Sequence, residues 1–290
     1  TLGQSIKKPL FAHYLLDINQ LSDKARFFEL DENYIALINP NTHTCPIFRS
    51  KIDAEISKKI YSRVDVLINE DQRAISNPWQ IRFRQGLFNK TSESNLFFKE
   101  SSNDRLPLYE GKFIYHFDHR LSTYSKDGSI REVTLKEKQT PYFKINPEYW
   151  VEKKNVIEKL KDQNWDRKWL LGWRLITNST NERTVISTVI PIQAVSNNIP
   201  LIFPSNKIKP NAIACLLGNI SSLTYDFLAR HKLGGTNLNF FIFKQLPVLS
   251  PNSYDSNSID FISSRILKLT YTSHCLQAWA EDLGFKGEPF

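Results

Sequence analysis

Ile52, Ile56 and Ile60 recur one helical turn apart. Ser50 and Asp53 precede and overlap them at capping-box spacing, so a helix is predicted from about Ser50. A second helix is predicted at Asn146 and Pro147, a cap residue and a first-turn proline, running to about Lys161 with Val156, Ile157 and Leu160 inward. A third, longer one starts at Pro210. Ile213, Leu216, Leu217, Ile220, Phe227 and Leu228 share its apolar face, and Gly234 follows its end. Near the C-terminus, Ile259, Ile262, Ile266, Leu269, Ser273, Leu276, Ala280 and Leu283 alternate steps of three and four, which is an a/d seam. Such a seam packs either on its own domain or on a partner. Short apolar or aromatic runs predict strands at 34–38, 81–83, 113–119, 169–176, 184–190, 201–203 and 238–243. Segments 86–106 and 121–141 are polar and broken, and read as surface loops.

These elements define an α+β fold: a twisted mixed sheet with crossing helices over residues 1–250, and a long helical segment over 251–290. At 290 residues the chain can bury a large core. It has no run of 18 apolar residues, so no membrane span is predicted. It lacks an initiating Met and reads as an internal stretch of a longer protein or a processed chain. Cys45, Cys215 and Cys275 are odd in number and widely spaced, with no CxxC pair. Neither a zinc site nor a disulfide framework is expected, and a cytoplasmic, reducing setting fits.

Charge adds a direction to this picture. The net charge is +8, and its excess is central. Residues 1–110 nearly balance, with 15 basic and 14 acidic, whereas residues 111–174 carry 14 and 9, and residues 175–250 carry 6 and 2. A basic face suits a polyanion such as DNA; a mildly basic solvated surface is the plainer reading.

Two short motifs raise the question of catalysis. Asp104, Glu110 and Lys112 could form a Mg²⁺-dependent nuclease site, with the carboxylates on the metal and the lysine orienting water. Residues 116–119, His-Phe-Asp-His, would split across the two faces of a strand, which argues against a metal cluster. Candidate DNA contacts are more numerous. Arg82 and Arg84 alternate with Ile81 and Phe83 on one strand face, with Gln85 next to them. Arg suits the guanine edge, and Gln or Asn the adenine edge. Arg174 and Arg183 bracket a polar turn at 177–181, and Arg120 closes an aromatic run.

The stretch RHKLGGTNLNFFIFKQLPVLSP (230–251) joins a basic helix end, a Gly-Gly-Thr loop, an aromatic run expected as a strand, and a Leu-Pro-Val exit. Gly234 and Gly235 would permit positive φ and close approach of another molecule, with Lys232, Thr236 and Asn237 beside them for phosphate contact. A helix C-cap and turn would explain the same glycines. This order of parts resembles the end of the target-recognition region in adenine-specific DNA methyltransferases of restriction–modification systems, including fused type IIG enzymes. NPNTHTCPIFRSKIDAEISKKIY (39–61), LPLYEGKFIYHFDHR (106–120), WDRKWLLGWRLIT (165–177), ERTVISTVIP (182–191) and NNIPLIFPS (197–205) follow in that family's order. The resemblance implies sequence-specific reading of double-stranded DNA. It also implies an upstream methyltransferase domain that binds S-adenosylmethionine. The Asn-Pro pairs at 39, 77 and 146 continue as Asn-Thr, Trp-Gln and Glu-Tyr, so none completes the Asn-Pro-Pro-aromatic motif that holds a flipped adenine. No GxGxxG loop is present either. The chain is therefore expected to hold no cofactor and no metal, and to lack the methyl-transfer half. Docking to a partner subunit through the heptad helix is a further alternative.

Overall fold

The computed structural model describes residues 9–72 and 74–290. A short antiparallel ladder, β1 (Leu10–Phe11) with β2 (Phe28–Glu29), leads into helix α1 (Glu32–Ile38). Residues 34–38 were expected as a strand. The Asp31 carboxylate instead accepts the Tyr34 amide at 2.7 Å, and this cap starts a helix through a run of strand-forming residues. Ser50 does cap α2 (Lys51–Tyr61), accepting the Asp53 amide at 3.2 Å. The buried face of α2 holds Ala54, Ser57 and Tyr61, while Ile52 and Ile56 lie outward. Tyr61 decides that rotation, since its hydroxyl donates to the Gln245 carbonyl at 2.9 Å inside the core.

Four separate sheets among the described residues, two of them of more than two strands, replace the single mixed one expected. In chain order the remaining strands are β3 (Arg82–Arg84), β4 (Arg105–Tyr109), β5 (Ser122–Tyr124), β6 (Ile130–Glu132), β7 (Trp150–Glu152), β8 (Trp169–Trp173), β9 (Ser187–Pro191), β10 (Ala194–Val195) and β11 (Leu201–Phe203). One of the two larger sheets is antiparallel throughout, in the order β3-β11-β8-β9. The other is mixed, with β10 parallel and β7 antiparallel to β4. β5 and β6 form a hairpin, followed by the one-turn helix α3 (Leu135–Lys138). Every residue of β8 and β9 is buried, so these strands are covered on both faces. Gly172 is required there, because a side chain would meet the Pro200 carbonyl oxygen at 2.7 Å.

Three further expectations fail for tertiary reasons. Residues 113–119 form no strand. Gly111–Phe113 is a 3-10 turn, and Tyr115 and Asp118 close a tight turn with Phe117 at φ 63°. Asn146 and Pro147 start no helix, since β7 first pairs with β4 and only then does α4 (Lys153–Lys161) begin. Val156 and Leu160 of α4 are buried as expected, but Ile157 is exposed. Residues 238–243 were expected as a strand and instead enter helix α7 (Phe240–Lys244). Phe240 and Phe243 both pack on Trp173, with ring centroids 5.7 and 4.1 Å away, and only a three-residue period brings both to one ring.

The long helix expected from Pro210 is two helices, α5 (Pro210–Ile220) and α6 (Leu223–Lys232), bent by 56° where Ser222 caps the second. The heptad seam is likewise broken. α8 (Ser256–Thr270) lies on α5, with Ile262 and Ile266 against Gly218. The chain then turns at Ser273 before α9 (Gln277–Asp282). Ser273, the polar member of the seam, donates to the Pro141 carbonyl at 2.9 Å and caps the next turn. The Trp279 indole donates to Thr270 at 3.0 Å, closing α9 back over the break. Among the described residues no single helix is long and apolar enough to cross a membrane.

Candidate nucleic-acid interface

Beyond Trp173 the chain leaves β8 and runs beside the loop that follows α6. The Thr177 amide donates to the Thr236 carbonyl and the Leu238 amide to the Leu175 carbonyl, each at 2.9 Å, and Ile176 bridges Asn237. Loop 234–237 is thus fixed alongside residues 175–177. The polar turn comes next, where the Asn178 side chain accepts the Thr180 amide at 3.0 Å. Asn178, Thr180, Asn181 and all of 234–237 are exposed.

A buried clamp holds this edge from behind. Asp226, 3% exposed, accepts the Thr184 and Val185 amides at 2.8 Å each and Arg230 Nε at 2.8 Å. Arg230 also donates to the carbonyls of Ser179, at 2.9 Å, and Glu182. Arg183 donates to the Ser221 carbonyl and lies 3.9 Å from Asp226. A carboxylate with this many donors tolerates burial, and it makes the turn rigid. Sequence reasoning missed Asp226. Its one legible signal is the spacing to Arg230, one turn later on a helix.

Arg174 is different. Its guanidinium has no hydrogen bond or ion pair among the described residues. It lines a cavity of about 200 Å³ with Glu110, Gly111, Lys112, Ile176 and Asn198, and the Glu110 carboxylate there is taken up by Lys90 and Lys112. Gly234 and Gly235 are equally without internal purpose. Neither has a positive φ, an added side chain would meet nothing within 4 Å, and the α6 cap is Leu233 in an extended conformation. The C-cap explanation for these glycines therefore fails.

Several predicted contacts are engaged inside the fold. Arg82 and Arg84 share a face, as their alternation predicts, but reach the α4 end, donating to the carbonyls of Gln163 and Lys159, the latter at 3.4 Å. Positive charge suits a helix C-terminus. Gln85 is exposed. Arg84, Leu201 and Gly172 are in register, so Gln85 leaves the sheet at the same end as Arg174. Arg120, expected near DNA, is 2% exposed and donates to the carbonyls of Thr140, Phe143, Lys138 and Thr272. Lys232, expected on phosphate, points inward to the Ile38 carbonyl at 2.6 Å and to Asn39, over the Tyr61 ring. Burial holds its pKa well below the usual lysine range.

The nuclease arrangement does not assemble. Asp104 and Glu110 flank β4 at its two ends, and six extended steps separate them by roughly 20 Å. Glu110 is 5% exposed and ion-paired with Lys90 at 2.8 Å and Lys112 at 3.5 Å. Lys112 also donates to the Tyr124 hydroxyl at 2.5 Å. Asp118 is bound by Lys138 at 2.6 Å, and His119 is fully buried, its pKa pushed down to about 3 by burial and then by Arg120. No group of His, Cys, Asp and Glu among the described residues could hold a metal ion.

No protein family and no curated protein matches the chain. Among solved structures, its fold is similar to that of the type IIG restriction endonuclease BpuSI, with 11% identity and a TM-score of 0.41. The match covers 80% of this chain and 32% of that one, so this chain spans about a third of that enzyme's length.

Proposed function

We propose that this chain is a sequence-reading module for double-stranded DNA within a restriction–modification adenine methyltransferase, with methyl transfer carried by another part of that enzyme. The observation that carries the reading is the unengaged Arg174 guanidinium at the end of β8, whose continuation, residues 175–177, runs alongside loop 234–237. A rigid edge presents a free bidentate donor, short amides and hydroxyls, and a backbone with no side chain in the way. In the proposed complex Arg174 reads a guanine edge in the major groove, and Asn178 and Asn237 lie within reach of neighbouring bases. Gly234 and Gly235 bring backbone N–H groups to a phosphate and fix register. S-adenosylmethionine would bind elsewhere in the parent enzyme, because this chain offers it no glycine-rich loop.

Binding-site selection from a randomised duplex pool tests the proposal. Arg174→Ala relaxes one position of the selected site and costs roughly 1–3 kcal/mol on the best duplex. Asn237→Ala weakens binding with less change in preference. If Arg174→Ala selects the parental site at parental affinity, the reading fails.

A further inference from the structure

A second recess, of about 670 Å³, opens between β4, β7 and residues 141–145, and none of its lining residues belongs to the edge around Arg174. Its size lies in the range of small-molecule sites. Arg105, Lys144, Lys153 and Lys168 stand around it, and no Asp or Glu is among its described lining residues. The three lysine ammonium groups have no ion pair or hydrogen bond among the described residues, so the rim is cationic on their side, while Glu288 lies 3.2 Å from His274 on the other. The floor adds to this. Arg120 contributes there, with its terminal nitrogens on carbonyls and its Nε without a partner. Gln193 also lines the recess; its amide oxygen is enclosed and has no partner, so it meets a ligand once the side chain turns toward the recess.

The walls are aromatic. Tyr142 is 73% exposed although one ring face stacks on His274, with centroids 4.3 Å apart, so its other face is open. Trp150 is half-buried on the β7 side. An open ring, a cationic rim and an unsatisfied acceptor call for a ligand with a planar ring, an anionic group and an N–H donor. The geometry points to a nucleotide whose base stacks on Tyr142, whose exocyclic amine meets Gln193 and whose phosphate lies on the lysine rim. Such a nucleotide is either free or an unpaired member of a nucleic-acid strand. The inference does not depend on the Arg174 edge reading DNA.

Calorimetric titration with dAMP, dTMP, inorganic phosphate and a five-residue oligo(dA) tests it. dAMP is expected to bind more tightly than dTMP, which has no exocyclic amine, and far more tightly than phosphate. Tyr142→Ala, at an exposed position, should weaken dAMP roughly ten-fold or more while leaving the fold intact. Lys144→Ala with Lys168→Ala should weaken it further and reduce its salt dependence. An oligonucleotide ten-fold tighter than dAMP identifies a strand as the source, and equal affinities identify a free nucleotide. Either result supports the site. Phosphate binding as tightly as dAMP, dAMP binding indifferent to Tyr142→Ala, or no binding of dAMP or the oligonucleotide at millimolar concentration overturns it.

Discussion

Arg120 and Arg174 put one residue type to opposite uses. Arg120 is enclosed, and four backbone carbonyls from the 138–143 segment and Thr272 take up its terminal nitrogens. Arg174 lies at the end of a buried strand with its guanidinium unengaged beside an open cavity. Both follow apolar or aromatic runs and look alike in sequence. What separates them is the supply of nearby carbonyls. Where irregular backbone leaves carbonyls unpaired, as at the break after α8, an arginine is drawn in to satisfy them. β8 has its carbonyls in a ladder, so Arg174 has none to claim.

The largest effect should come from Arg120. Arg120→Leu strands several buried carbonyls and is expected to cost about 3–5 kcal/mol in chemical denaturation. Arg174→Leu should stay within about 0.5 kcal/mol of the parent. Similar losses for the two would erase the contrast.

The neighbourhood of Arg120 also predicts a pH dependence. His119 has a folded pKa of about 3, below its ordinary 6.5, because it is buried and then because Arg120 is near. Between those values the unfolded chain binds a proton that the folded chain refuses. Stability is therefore fully present above about pH 6.5 and falls on acidification, by up to about 1.4 kcal/mol per pH unit. His116, pushed down to about 4, adds in the same direction. His119→Phe should flatten the decline between pH 4 and 6 and leave the His116 share. Unfolding midpoints across that range provide the check, and an unchanged slope would show that His119 takes up its proton within the fold.

The smallest effect sharpens the other side. Gly235→Ala removes backbone freedom from the unfolded chain and meets no atom in the folded one, so it should raise stability by about 0.4–1 kcal/mol. The same change should weaken binding to every duplex. A stabilised variant with parental affinity would mean that nothing approaches this loop closely.

Local chemistry was legible where it acts alone. Ser50 as a cap, the strand at 201–203, the inward Val156 and Leu160, and the α+β class could all be read from neighbouring residues. Misreadings arose where distant residues competed. The 238–243 run has strand composition, but Trp173 rewards a helical period. Ser273 looked like a weak seam residue until Pro141 came within reach of its hydroxyl. The functional candidates divide the same way. That 234–237 form an exposed polar loop could be read in advance from their composition, whereas the inward course of Lys232 and the enclosure of Arg120 could not.

The sequence by itself determined which segments can cap, bend or bury, because those depend on side chains within a turn of each other. Only the tertiary structure decided which arginines and lysines remain free. A cation's availability depends on whether folding brings it a carbonyl or a carboxylate, and those partners stand up to 194 residues away along the chain, as for Lys232 and Ile38.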